Sequence, residues 1–250
     1  MSRKSIFMTL GVVLLLLGGI AATLLLLVRH ELEWYTRAAI APGAHRAKCS
    51  DDFIYEFKEL IDPSPTDRKW YAQFTDEQIN SFFEEGLVQT GLDTRLLPDG
   101  VKHPRVAIEP GRLRLAFRYG RGAWSSVISI DLGIWMAARE HNAIVIEVEN
   151  FRAGALPIVA QSILQDVTSA IRQNNSNIEV TWYRNPDSGN PCAVVRFLSA
   201  DPQRPTVLLD AVQLEKGKMT IHCRYSTDVN QLRAMLNFPA VALRTAGEAD

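Results

Sequence analysis

The hydrophobic positions along the chain change period several times, and each change marks an element. Ile6 to Val28 carries no charge at all: 23 residues, fifteen of them Leu, Ile, Val or Phe. As a helix rising about 1.5 Å per residue it reaches about 34 Å, enough to cross a hydrocarbon core of about 30 Å. Those side chains favour insertion by on the order of 5 to 9 kcal/mol. A cleaved signal peptide is the competing reading, but its apolar core normally runs about 7 to 15 residues before a small-x-small site. The downstream candidate for such a site, Ala39-Ile40-Ala41, stands beyond Arg29, Glu31, Glu33 and Arg37. The expectation is therefore an uncleaved signal-anchor, a single-pass transmembrane helix that makes the lipid bilayer the first partner through Ile6 to Val28. Arg3 and Lys4 put residues 1–5 in the cytoplasm and the C-terminal domain outside it, in the cell envelope, under the positive-inside rule. Gly18, Gly19, Ala22 and Thr23 add the small-xxx-small spacing that pairs helices, although small residues are also common in single spans.

Residues 29–70 read as a juxtamembrane stalk. Trp34 and Tyr35 suit the interfacial zone, and Thr36 to Lys48 is polar. Ser50 is placed to cap a short helix with apolar positions Phe53, Ile54, Phe57, Leu60 and Ile61, ended by Asp62-Pro63-Ser64-Pro65. Asp51, Asp52, Glu56 and Glu59 make its other face acidic, so packing on the domain is favoured over lying on the bilayer.

Residues 71–225 read as the extracytoplasmic domain. Thr75 and Gln78 form a capping box, with Phe74 and Ile79 as the hydrophobic staple, so a helix starts at this point. Ile79, Phe82, Phe83 and Leu87 make its stripe, Gly86 is placed to end it, and Asn80 lies off the stripe, either bonded to a neighbouring loop or simply exposed. From Arg105 the period becomes two. Leu113, Leu115, Phe117 and Tyr119 oppose Arg112, Arg114 and Arg118, followed by the rows Ile128, Ile130, Leu132, Ile134 and Ile144, Ile146, Val148, which predicts an antiparallel meander. Gly154-Ala155-Leu156-Pro157 breaks it, with Pro157 in the first turn of a second amphipathic helix along Ala160, Ile163, Leu164, Val167, Ala170 and Ile171. Strand-like runs follow at Ile178 to Tyr183, Ala193 to Leu198, Val207 to Leu214 and Lys218 to Arg224, and residues 226–250 read as a tail with one short helix, Val229 to Leu236. Helix, strands, helix, strands, without strict alternation, is an α+β pattern: a curved antiparallel sheet covered by two amphipathic helices.

Composition narrows the function classes. A net charge of −1 gives no field for nucleic acid, and 47% hydrophobic with 22% charged residues excludes a disordered chain. No cysteine falls in a CxxC or in a Cys/His pair spaced for zinc, and none of His30, His45, His103, His141 and His222 lies four residues from another, so no metal or cofactor is expected. The histidines are assigned to stalk, loop and strand surfaces. Cys192 and Cys223 fall in late strands and would pair only if those strands were adjacent, with reduced cysteines favoured. Asp131 is the one acid in an apolar run; a raised pKa for acid/base work is weighed against a solvated position, which the alternation favours. Arg105, Arg112, Arg114 and Arg118 offer an anionic contact surface, against the alternative of a charged outer face balanced by Glu147 and Glu149.

Phe74-Thr75-Asp76-Glu77-Gln78-Ile79-Asn80, Pro110-Gly111-Arg112-Leu113 and Gly154-Ala155-Leu156-Pro157, behind an N-terminal span, resemble the YpmS-like family of single-pass cell-envelope proteins. The resemblance covers the anchor and about Phe74 to Arg224 and departs at the longer stalk with its own helix. It implies a membrane-tethered domain and no catalytic residue. A remoter similarity to tubular lipid-binding domains implies an apolar groove between helix and sheet. The expected role is therefore non-enzymatic binding of a lipid, another apolar ligand or an envelope protein partner by Ile128, Ile130, Leu132, Ile134, Ile163, Leu164, Val167 and Ile171. A tethered enzyme using Asp131 or Glu147 on envelope material, or a pure scaffold, are the alternatives.

Overall fold

The structure, a computed structural model, describes residues 3–61, 69–91, 97, 100–120, 122, 125–138, 140, 142–158, 178–197 and 207–225. The chain is α+β, an N-terminal apolar helix followed by antiparallel sheets and a few helices. Helix α1 (Arg3–Arg29) is long and apolar enough to cross a membrane, and its apolar window is wholly unburied. Next come α2 (Glu33–Arg37), α3 (Ala44–Ile61), β1 (Lys69–Thr75), α4 (Asp76–Glu84) and α5 (Gly86–Gln89).

The larger sheet starts with the expected meander, β2 (Val101–Glu109), β3 (Arg112–Tyr119), β4 (Ser126–Met136) and β5 (Ala143–Ala153). Strand β6 (Leu156–Pro157) folds back on the end of β5, while β7 (Ile178–Arg184) and β8 (Pro191–Phe197) extend the sheet to the order β2-β3-β4-β5-β8-β7. The late strands divide: β9 (Val207–Glu215) and β10 (Lys218–Tyr225) instead join β1 in a small sheet of order β1-β10-β9. Cys192 therefore belongs to one sheet and Cys223 to the other, and both are free and buried.

The core forms where the two sheets meet. Ala72 and Phe74 from β1, Leu214 from β9, Ile79 from α4, and Val106 and Ile108 from β2 are buried together, with Leu113, Leu115 and Ile134 packed against them. Burying each large side chain contributes roughly 1.5–3 kcal/mol. The tips of two hairpins lock the sheets together: Gly217 N–H donates to the Ile108 carbonyl at 2.8 Å, and Gly111 N–H to the Leu214 carbonyl at 3.1 Å.

Helix α4 begins as its sequence predicts. Thr75 Oγ1 accepts from Gln78 N–H at 3.1 Å, and Gln78 Oε1 accepts from Thr75 N–H at 2.8 Å. Asn80 is buried rather than exposed, and its amide clamps an edge strand: Nδ2 donates to the Val106 carbonyl at 2.8 Å and Oδ1 accepts from Val106 N–H at 2.7 Å. Strand β2 is the sheet edge, and the amide satisfies backbone groups that no strand reaches.

Several expectations are corrected. Helix α3 starts at Ala44, not after Ser50, which is buried inside it beside Cys49. Residues 44–49 have too few apolar positions to show helical periodicity, but Ala44 and Ala47 are strong helix formers. The apolar stripe of α3 splits, because Phe53 and Leu60 pack on the core while Ile54, Phe57 and Ile61 face solvent. Gly86 opens α5 instead of ending a helix; a Cβ there would stand 2.6 Å from Phe82 Cδ2 and 2.9 Å from Ser50 Oγ, so it permits close approach of α3. Pro157 lies in β6, because Gly154 at φ +57° and Ala155 turn the chain straight back onto β5. The second helix, Ala160 to Ile171, and the tail, residues 226–250, lie outside the described residues.

Candidate functional site

The pleat of β4 sends Ile128, Ile130, Leu132 and Ile134 to one face, where the register sets them beside apolar partners. Phe117, Leu115 and Leu113 of β3 stand opposite Ile128, Ile130 and Leu132. On the other side, Ala153, Phe151, Val148 and Ile146 of β5 stand opposite the four in order. The register shifts opposite Asp131 and Leu132, where β5 carries the extra residue Glu149, and this bulge keeps both halves of the β5 row on that face. Ile128 is buried, the other three are half-buried, and Ile134 touches the core. The four β4 residues of the expected ligand face are thus brought together; Ile163, Leu164, Val167 and Ile171 lie outside the described residues.

The opposite face is charged and internally matched. Arg112 pairs with Glu149 at 2.6 Å, and Arg114 pairs with Glu109 at 3.1 Å and Asp131 at 3.5 Å. Arg105 reaches Glu84 at 3.4 Å, and Arg118 meets Glu31. Each arginine of the expected anionic contact surface already has a carboxylate partner. Asp131 is not solvated as alternation suggests: it is held by Arg114 and by Asn150 Nδ2 at 3.0 Å, with its side chain 16% exposed. Glu147 does not balance the arginines either. It is buried and accepts from Asn185 Nδ2 at 3.0 Å, Asn190 Nδ2 at 2.8 Å and the Ser188 hydroxyl, so it pins the β7–β8 turn. The Ser188 donor, aided by the two amides and opposed by burial, holds its carboxyl below the usual glutamate value.

The edge at which the β4 row begins is where the apolar helix arrives. Ala155 N–H donates to the Leu27 carbonyl at 2.9 Å, and Ser126 Oγ donates to the Val28 carbonyl at 2.6 Å. These bonds satisfy two of the carbonyls that a helix C-terminus leaves without partners. Gly154 makes the approach feasible, since a Cβ there would lie 2.4 Å from both of those oxygens.

The segment expected to be a stalk continues along the charged face. Tyr35, 2% exposed, packs with Ala116 and Val127, donates its hydroxyl to the His103 carbonyl at 3.0 Å, and lies 4.5 Å beneath the Arg105 guanidinium. Arg105 also donates to the Tyr35 carbonyl at 2.8 Å. Tyr35 is thus a domain anchor, a role that its interfacial composition hid.

Two surface depressions lie away from the apolar row. One, of about 320 Å³, runs between the β4–β5 turn and β9, near Glu140, Asn142, Asp210 and Arg224. The other, of about 510 Å³, is bordered by Glu109, Arg112, Glu149 and Lys216. Among the histidines, His103 adopts φ +48° in β2 and faces Glu84, His222 lies against the Tyr71 ring, and His141 is outside the described residues. His45 is on α3, one turn from Cys49 and beside Glu77, a grouping that the sequence reading missed because it saw no helix there.

No protein-family model, curated protein or solved structure matches the chain.

Proposed function

We propose that the chain is a membrane-anchored, non-enzymatic envelope domain that takes up an apolar ligand on the inward face of its larger sheet. In this reading Ile6 to Val28 stay in the bilayer as an uncleaved signal-anchor, with Arg3 and Lys4 on the cytoplasmic side and the sheets outside. One observation carries it: the C-terminal end of α1 is bonded to Ser126 and Ala155, at the edge where the row Ile128 to Ile134 begins. A hydrocarbon chain leaving the bilayer beside α1 would meet a row of isoleucine and leucine, which spares it the cost of about 0.8 kcal/mol for each CH₂ that would otherwise enter water. A lipid acyl chain is the chemistry that fits; an apolar segment of a partner protein is the other occupant to be distinguished. The resemblances to the YpmS-like family and to tubular lipid-binding domains accord with this role. No catalytic role is assigned, because Asp131 and Glu147 are each held by structural partners.

The test is native extraction of the full chain into lipid nanodiscs or a mild detergent, followed by mass analysis of what co-purifies. Retained lipid that is released by Leu132→Arg, but not by Arg112→Gln on the opposite face, supports the proposal. A protein segment in place of lipid would move the occupant to the second kind. Nothing retained, or retention indifferent to Leu132→Arg, would overturn the binding role.

A further inference from the structure

We propose that His45, Cys49 and Glu77 form a binding site for a divalent transition metal, zinc being the ion that suits their donors, with a fourth position open to solvent. The site is independent of the apolar sheet face. Because α3 begins at Ala44, His45 and Cys49 stand at i and i+4 on one helix face, the spacing at which two side chains can reach one ion. Glu77 comes from the first turn of α4, where the Thr75–Gln78 capping box fixes the backbone. His45 Nε2 lies 3.7 Å from Cys49 Sγ and 2.8 Å from Glu77 Oε1, and the three donor atoms all fall within 4.8 Å of one another.

One separation matches what an ion would require, and a second lies within a small side-chain movement of it. Tetrahedral zinc, with Zn–S of about 2.3 Å and Zn–N and Zn–O of about 2.0–2.2 Å, sets N···S near ~3.6 Å and N···O near ~3.4 Å. The first is met as it stands, and the second needs about half an ångström of movement by an exposed glutamate. A thiolate, an imidazole and a carboxylate together select zinc over calcium or magnesium, which prefer oxygen alone. Cys49 is buried while the His45 and Glu77 side chains are 68% and 52% exposed, so the group is open to an entering ion from one side.

A second observation points to the same ligand. Ser81, one turn beyond Glu77 on α4, is fully buried, and its hydroxyl has no hydrogen-bond partner. It stands beside Cys49, within reach of the position from which an outer donor meets a metal-bound sulfur. Binding would release the Cys49 proton to solvent, shift the imidazole proton of His45 from Nε2 to Nδ1, and replace the His45–Glu77 hydrogen bond with two bonds to the ion.

Cobalt(II) titration of the untagged, reduced full-length chain in detergent micelles tests the site, with zinc as competitor. One equivalent should produce a thiolate-to-cobalt charge-transfer band and four-coordinate visible bands, both erased by zinc. Cys49→Ser should abolish the band, and His45→Ala and Glu77→Gln should each weaken binding at least about tenfold while the melting temperature without metal holds. No band at stoichiometric cobalt would overturn the proposal. A band that survives Cys49→Ser, placing the metal on Cys192 or Cys223, or unchanged affinity in His45→Ala would do the same.

Discussion

Replacing Gly154 by alanine isolates the joint between the apolar helix and the sheet. Gly154 sits at φ +57°, a region that costs an L-residue roughly 1–2 kcal/mol, and its Cβ would land 2.4 Å from the Leu27 and Val28 carbonyl oxygens. Backbone oxygens at a helix end have no rotamer with which to escape, so α1 must be displaced by about 1 Å to restore van der Waals contact. That shift stretches the Ala155-to-Leu27 and Ser126-to-Val28 hydrogen bonds, 2.9 and 2.6 Å long, each contributing about 0.5–1.5 kcal/mol. The expected loss is about 2–5 kcal/mol. Gly111→Ala is the matched control, because Gly111 lies at φ +71° with nothing within 4 Å of an added Cβ and should cost only the backbone strain. Urea unfolding of the full-length chain in micelles, followed by fluorescence of its five tryptophans, reads both. Equal losses in the two variants would show that the close approach is absent, and with it the docking of α1.

Three further substitutions test other parts of the molecule. Asn80→Ala removes both bonds to Val106 and leaves two buried backbone groups unpaired, so denaturant titration should show a loss of about 2–4 kcal/mol; a loss below about 1 kcal/mol would mean that β2 finds other partners. Glu147 has a folded-state carboxyl held below its ordinary value of 4.5, so its stabilisation is complete above that pH and is lost as the pH falls through the lower folded value. Unfolding midpoints followed from about pH 6 to about pH 3 should therefore fall more steeply in the unaltered chain than in Glu147→Gln, and parallel curves would contradict that assignment. Tyr35→Phe removes the hydroxyl that reaches the His103 carbonyl and should cost about 0.5–1.5 kcal/mol by the same titration, with Arg105→Ala costing more because it loses Tyr35 as well as Glu84. An Arg105→Ala cost no larger than that of Tyr35→Phe would discount the guanidinium contacts.

Local signals were legible along the chain, and pairings between distant segments were not. The capping box at Thr75 and Gln78 and the alternation from Arg112 to Val148 depend on neighbours a few residues away, and both elements stand where they are predicted. Strand β1 pairs with β10 across roughly 150 residues of chain, and its alternation of Trp70, Ala72 and Phe74 straddles the boundary between stalk and domain, where Phe74 reads only as the staple of the following helix. The same reading hid Tyr35, whose burial comes from the outer face of β3, where Ala116 interrupts the arginines and leaves room for a ring. For the candidate sites, the apolar row of β4 was readable because a strand face is a period-two pattern. Asp131 was misjudged because alternation says which face a side chain takes but not what waits there, in this case Arg114 and Asn150. His45 and Cys49 needed the start of α3, which no apolar periodicity announces, and Glu77 needed the packing of α3 on α4.

The most direct test of the joint between the apolar helix and the sheet is a distance between spin labels at His30 and Arg152, both exposed, measured on the full chain expressed in membranes and transferred to lipid nanodiscs. A single narrow distribution, no wider than the label linkers allow, is expected if α1 remains attached and docked at Gly154. A broad distribution would mean a loose tether, and a missing distance, with the first label lost after cleavage near Ala41, would mean that the helix is a discarded leader.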